Sequence, residues 1–123
     1  MTGEKTFDVS LAGMSACQVF LESICSSPKP QIILDEIVSN IVRCSGATFF
    51  RVGYAMEGGA LREMTFTDDG AAFDPTTETK VPDVTAALED RAVGGLGIFM
   101  VKTMSKAVVY RREGNLNILT VTL

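Results

Sequence analysis

Apolar and polar residues alternate at Phe7, Val9 and Leu11, the period of a half-buried strand. The period then lengthens. Cys17, Phe20, Leu21 and Ile24 fall on one helical face behind Ser15, a residue type that caps helices. SSPKPQ interrupts the pattern, because two prolines do not continue a helix. A second helix is expected from Gln31 to about Cys44, with Ile33, Leu34, Ile37, Val38, Ile41 and Val42 as a broad apolar stripe and Gly46 placed to end it. Thr48–Met56 and Leu61–Asp68 read as strands joined by an EGGA hairpin turn. The stretch DDGAAFDPTTETKVPDV is polar, rich in turn formers and long enough for a functional loop, with a short helix expected at Thr85–Asp90. A glycine cluster then opens a helix that runs to about Met104. Val108–Arg112 and Leu116–Leu123 form a closing hairpin across Glu113, Gly114 and Asn115. Hairpins dominate this order. The predicted fold is therefore an α/β two-layer sandwich, with a mixed, mainly antiparallel sheet and helices on one face.

Composition narrows the function classes. The chain has 123 residues, a size that suits one domain over residues 1–123. Hydrophobic residues make up 46%, enough for a real core, and no low-complexity tract occurs. The net charge of −4 disfavours direct binding to nucleic acid. Cys17, Cys25 and Cys44 are odd in number and form no CxxC pair, and histidine is absent, so the common zinc patterns fail and reduced thiols are expected. The N-terminal MTGEKTFDVSLAG lacks a basic start and a long apolar stretch, and no run reaches the roughly 20 apolar residues of a membrane span. A soluble, cytoplasmic protein without a membrane partner is expected.

Three groups of polar or small residues do not read as core. Glu36, Asn40 and Arg43 share one face of the second helix at i, i+4 and i+7. That spacing fits a solvated face. It also fits a carboxylate base one turn from an amide oxygen able to ligate Mg²⁺ alongside substrate phosphates. Asp68, Asp69 and Gly70 end a strand as turn residues do, yet a carboxylate fixed there can accept a hydrogen bond from the exocyclic amine of adenine, with Gly70 letting the ring approach the backbone. Gly94, Gly95 and Gly97 precede a helix whose N-terminus offers unpaired N–H groups and the positive end of a dipole, which together make a phosphate cradle. A flexible loop closing onto the core is the alternative. No GK[ST] follows, so this is not a Walker A loop, and the last glycine of the Rossmann fingerprint is missing.

In this order and at these separations the three groups resemble the Bergerat-type ATP-binding fold shared by histidine kinases, DNA gyrase, mismatch-repair ATPases and the large heat-shock chaperones. Its E-x-x-x-N box is matched by Glu36-Ile-Val-Ser-Asn40. Its D-x-G box, often followed by x-x-F-D-P, is matched by Asp68-Asp69-Gly70-Ala-Ala-Phe73-Asp74-Pro75, and its G-x-G box by Gly95-Leu96-Gly97. Within the family, GGLGIFMVKTMSKAVVYRREGNLNILTVTL is similar to the anti-sigma factor serine/threonine kinases of bacterial stress and sporulation control. The resemblance covers nearly the whole chain.

The resemblance implies a small cytoplasmic kinase that binds ATP with Mg²⁺ and phosphorylates a serine or threonine of a STAS-type anti-anti-sigma protein. It also implies possible sequestration of a sigma factor, and a homodimer. Glu36 would be the general base and Asn40 the Mg²⁺ ligand. Asp68 would bind the adenine amino group with Gly70 beside the ring, and Phe73 would belong to the same nucleotide site. Gly94, Gly95, Leu96, Gly97 and Ile98 would form the phosphate cradle and its helix, Ile98 and Val101 packing inward. Residues Thr76–Val93 would be a lid, and Thr120 would support Asp68 or the adenine through its hydroxyl. Cys44 departs from the family pattern, since many anti-sigma kinases carry a histidine or another polar residue four positions after the box asparagine. The lid cations are Lys80 and Arg91, and Arg91 either reaches a γ-phosphate or is a solvated charge. A histidine kinase catalytic domain shares the boxes, but this chain has no histidine to phosphorylate. The alternative from another class is a non-catalytic, ATP-gated partner-binding module. Glu36 argues against it, because a pure binder does not need the base.

Overall fold

A computed structural model describes residues 1–72 and 95–123 of the chain, the side chains of 95–98 excepted. The elements are β1 (Thr2–Asp8), α1 (Leu11–Glu22), α2 (Pro28–Cys44), β2 (Phe49–Glu57), β3 (Ala60–Asp68), α3 (Gly95–Met104), β4 (Ala107–Glu113) and β5 (Leu116–Thr122). The strands form one five-stranded sheet in the order β1-β2-β3-β5-β4. Every neighbouring pair is antiparallel, so the sheet is more uniform than the mixed one expected.

Register explains where the core lies. Phe7 pairs with Phe50, Val52 with Phe66, Phe66 with Leu119, and Met64 with Val121, so these buried side chains share one sheet face. The stripe of α2 (Ile33, Leu34, Ile37, Val38 and Ile41) is buried against that face, together with Cys17 and Leu21 of α1 and Val101 of α3. Each such aliphatic or aromatic side chain contributes roughly 1.5–3 kcal/mol by leaving water. Phe7 stacks on Phe50 at 5.4 Å and meets Phe20 edge-on at 5.7 Å, which pins α1 to the β1–β2 edge. The result is the expected α/β two-layer sandwich.

Two junctions differ from the expectation. The strand ends at Asp8, and α1 starts at Leu11 instead of behind Ser15. Ser10 is the cap: its hydroxyl accepts the Gly13 N–H at 3.0 Å. A Cβ at Gly13 would lie 1.8 Å from the Asp8 carbonyl oxygen, so the missing side chain lets the helix sit tightly on the strand end. Leu11 consequently lies on the surface, 78% exposed. Pro28 and Pro30 do not break the chain but open α2, because the N–H groups of a first helical turn have no intrahelical acceptor to lose. The other boundaries fall within a few residues of expectation. Gly58 and Gly59 take φ of 60° and 80°, the left-handed pair that a two-residue hairpin between twisted strands requires.

Candidate functional site

Glu36 and Asn40 lie one turn apart on the half-buried flank of α2, beside the stripe that anchors the helix in the core. Asn40 Oδ1 is buried and accepts no hydrogen bond among the described residues. Arg43 is separate from this pair. It is exposed and folds back on its own helix, donating from Nε to the Ser39 carbonyl and from Nη2 to Ser39 Oγ, both at 3.3 Å. Cys44 is exposed at the end of the helix.

The Asp68–Gly70 turn is fastened to that same end. Ala71 N donates to the Ser45 carbonyl at 3.1 Å. A Cβ at Gly70 would lie 2.6 Å from Ser45 O and 2.7 Å from Ser45 Cβ. Glycine is therefore required at 70 by the close seat of the turn on α2, an explanation that the expected approach of a ring does not supply. The two aspartates divide the work. Asp69 ties the turn to the start of β2: Thr48 N and Phe49 N donate to its Oδ1 at 2.7 and 3.2 Å, and the Thr48 hydroxyl donates to Oδ2. The Thr48 hydroxyl bond, helped by the backbone N–H donors, holds the Asp69 carboxyl below the usual carboxylate range.

Asp68 is 6% exposed. Its Oδ1 accepts Gly70 N at 2.8 Å and Asn117 Nδ2 at 3.1 Å, and Oδ2 accepts none among the described residues. Asn117, on β5 directly opposite Asp68 in the sheet, is the polar hub of this end. Its Nδ2 also donates to the carbonyls of Ala71 at 2.9 Å and Gly70 at 3.4 Å. Its Oδ1 accepts the Tyr110 hydroxyl at 2.5 Å and Arg112 Nη1 at 3.1 Å, and the same Nη1 reaches the Gly70 carbonyl at 2.9 Å. Thr120 does not take the role expected of it. It pairs with Thr65 and stands an odd number of residues from Asn117, Leu119 and Val121, so it points to the opposite face of the sheet. Asn117 holds Asp68 instead.

Gly95 opens α3, and Gly95-Leu96-Gly97-Ile98 form its first turn. α3 packs beside α2, so the helix carrying Glu36 and Asn40 neighbours the helix opened by the glycines. Val101 is buried as expected. Phe73, Arg91, Gly94, Lys80, the lid and its short helix lie outside the described residues, as do the side chains of Leu96 and Ile98.

Among the described residues no three His, Cys, Asp or Glu side chains cluster, so no all-protein metal cage is present there. The donor set suits a different arrangement. A buried amide oxygen lacking a donor is the acceptor that a hard cation completes, and Mg²⁺ takes one or two protein oxygens and finds the rest in phosphates and water. No helix among the described residues is long and apolar enough to cross a membrane.

A family model described as histidine kinase-like ATPase domain matches residues 23–123, from the end of α1 through β5. No curated protein matches the chain.

Proposed function

The chain belongs to the histidine kinase-like ATPase family, and from that premise we propose that it is a cytoplasmic protein serine/threonine kinase of the anti-sigma type. In this reading the 123 residues work as one ATP-binding domain. Its substrate is a STAS-type anti-anti-sigma protein, a sigma factor is its second partner, and it acts as a homodimer. One observation carries the proposal. The three boxes converge on α2: Glu36 and Asn40 project from it, Ser45 at its end seats the Asp68–Gly70 turn, and α3 packs alongside.

Each residue then has a physical task. Asp68 Oδ2 accepts the adenine amino group, since Oδ1 is already occupied. The first turn of α3 offers its N–H groups to the phosphates. Asn40 Oδ1 would hold Mg²⁺, which would offset phosphate charge. Glu36 accepts the proton of the substrate hydroxyl while its oxygen forms a bond to the γ-phosphorus and ADP leaves.

Phosphotransfer from γ-labelled ATP to STAS proteins encoded nearby tests the proposal, with Glu36→Gln as the decisive variant. The expected result is transfer by the wild type and binding without transfer by Glu36→Gln. A Glu36→Gln protein that phosphorylates at the wild-type rate refutes the base. Tight ATP binding with no transfer to any STAS protein would replace the kinase by the ATP-gated binding module.

A further inference from the structure

A side-chain amide is nearly the same shape at both ends, and its two ends do opposite things. In this chain the amide that meets Asp68 is held at both ends, and at its oxygen end by residues outside the family boxes. Asn117 Nδ2 faces three acceptors, namely Asp68 Oδ1 and the carbonyls of Gly70 and Ala71. Asn117 Oδ1 faces two donors, the Tyr110 hydroxyl and Arg112 Nη1. Turned end for end, the amide would set an oxygen against three oxygens and its NH₂ against a guanidinium, an arrangement without a favourable contact at the buried end.

We propose that Tyr110 and Arg112, on the edge strand β4, are positioning residues for base selection: by donating to Asn117 Oδ1 they anchor the amide whose NH₂ meets Asp68, and so hold the Asp68 carboxylate in place to accept from the base. The proposal rests on the reading of Asp68 as the residue that meets the base. The effect of Tyr110 and Arg112 passes through Asn117, which with Gly70 N occupies Asp68 Oδ1 and leaves Oδ2 to accept. An acceptor at that point favours a 6-amino purine and rejects a 6-oxo purine, whose oxygen would face the carboxylate. With these donors gone the amide is held at its NH₂ end only, and Asp68 loses part of the aim that separates a 6-amino from a 6-oxo group. Arg112 adds a second restraint: its bond to the Gly70 carbonyl holds the turn on which Asp68 sits.

The test is calorimetric titration of the full chain with ATP and with ITP, in Mg²⁺, for the wild type, Tyr110→Phe/Arg112→Leu, Tyr110→Phe and Arg112→Lys, with inorganic tripolyphosphate as the probe of the phosphate end. The expected result is a fall of about tenfold or more in the ATP-over-ITP ratio of the double variant, the size set by losing one or two hydrogen bonds. Tripolyphosphate affinity stays unchanged, and Arg112→Lys, which retains a donor, recovers part of the ratio. A folded double variant with the wild-type ratio overturns the proposal. If the double variant does not fold, Tyr110→Phe, which deletes one hydroxyl, must still lower the ratio by about threefold, and an unchanged ratio overturns the proposal equally. Asp68→Asn in the same titration separates the two levels. Unaltered ATP binding there removes the base-site reading and the positioning role with it, whereas weakened binding beside an unchanged double variant refutes the positioning role alone.

Discussion

Replacing Asp68 by asparagine separates its internal task from its proposed external one. Both hydrogen bonds that Asp68 accepts end on Oδ1, from Gly70 N at 2.8 Å and Asn117 Nδ2 at 3.1 Å. An asparagine with its oxygen in that place keeps both donors satisfied. What the internal network loses is the charge on the acceptor, about 1 kcal/mol as the difference between a charged and a neutral pair. Relief of a buried carboxylate that forms no salt bridge among the described residues offsets part of that. For a domain of this size the melting temperature should move by no more than about 3–6 °C. The other position changes more. The NH₂ of the asparagine replaces Oδ2, the oxygen with no partner among the described residues, so on the proposed reading a donor meets the adenine amino donor. Losing a hydrogen bond to a charged acceptor costs about 1.5–3 kcal/mol, or about 10- to 150-fold in the ATP dissociation constant. Thermal unfolding without nucleotide and calorimetric titration with ATP and Mg²⁺ measure the two quantities on the same sample. An unchanged dissociation constant would remove Asp68 from the site. A collapse of the melting temperature with little change in affinity would make Asp68 a structural residue and refute the assignment of its two oxygens.

The remaining predictions address neighbouring parts of the fold. Gly70→Ala forces a Cβ to within 2.6 Å of the Ser45 carbonyl and should cost about 1–3 kcal/mol, whereas Gly53→Ala, whose Cβ would lie 3.6 Å from its nearest neighbour, should be tolerated; equal melting temperatures for the two would refute the close seat. Asn40→Leu removes a buried oxygen that has no donor among the described residues, so the nucleotide-free protein should keep its stability or gain up to about 1–2 kcal/mol, while any Mg²⁺ dependence of ATP binding disappears. Retention of that dependence would take Asn40 out of the metal site. Burial, aided by the nearby charge of Asp35, pushes the Cys17 thiol up to about 12, so a thiol reagent at pH 8 should label exposed Cys44 and spare Cys17 until the chain unfolds. The raised value also sets a sign: the contribution of Cys17 to stability is intact below the unfolded thiol value near 9 and is lost as pH rises from there toward 12, a loss that denaturant titration should find smaller in Cys17→Val.

Much of the fold was legible because single periods dominate single segments. The α2 stripe from Ile33 to Ile41, the Gly58–Gly59 turn and the β4–β5 hairpin each obey one rule, and the structure follows them. The beginnings of the helices were less legible because local chemistry outweighed the pattern there. Val9 and Leu11 continue an apolar alternation, but Ser10 between them captures the Gly13 N–H and turns the chain, leaving Leu11 in water. Pro28 and Pro30 are helix breakers in an interior and helix openers in a first turn, and only the position of the first turn tells which. Within the site, Glu36 and Asn40 could be paired from spacing alone. The seat of Gly70 on Ser45 could not, because it joins residues 25 apart through a contact that leaves no periodic trace.

Asn117 is the instructive omission, because half of its signal was in the pattern: β5 carries apolar residues on both faces, and burial decides which face is the core. A residue that holds Asp68 must lie on the same sheet face as Asp68. Leu119 and Val121 are the buried apolar positions of β5, so period two places 117 on their face and 120, with Leu116 and Ile118, on the other. A hydroxyl at 120 therefore had the right chemistry at the wrong parity, and an amide at 117 had both. Asn117 is one of the few buried polar residues among those described, along with Thr67 and Asp68. A polar side chain at an apolar position of a core strand carries a desolvation cost unless its partners are built for it. Among the described residues those partners include Tyr110 and Arg112, which donate to its Oδ1, and Asp68, Gly70 and Ala71, which accept from its Nδ2. The alternation of a strand thus locates more than its core, since the position where it is broken on the buried side marks where the sheet stops packing and begins to hold a site.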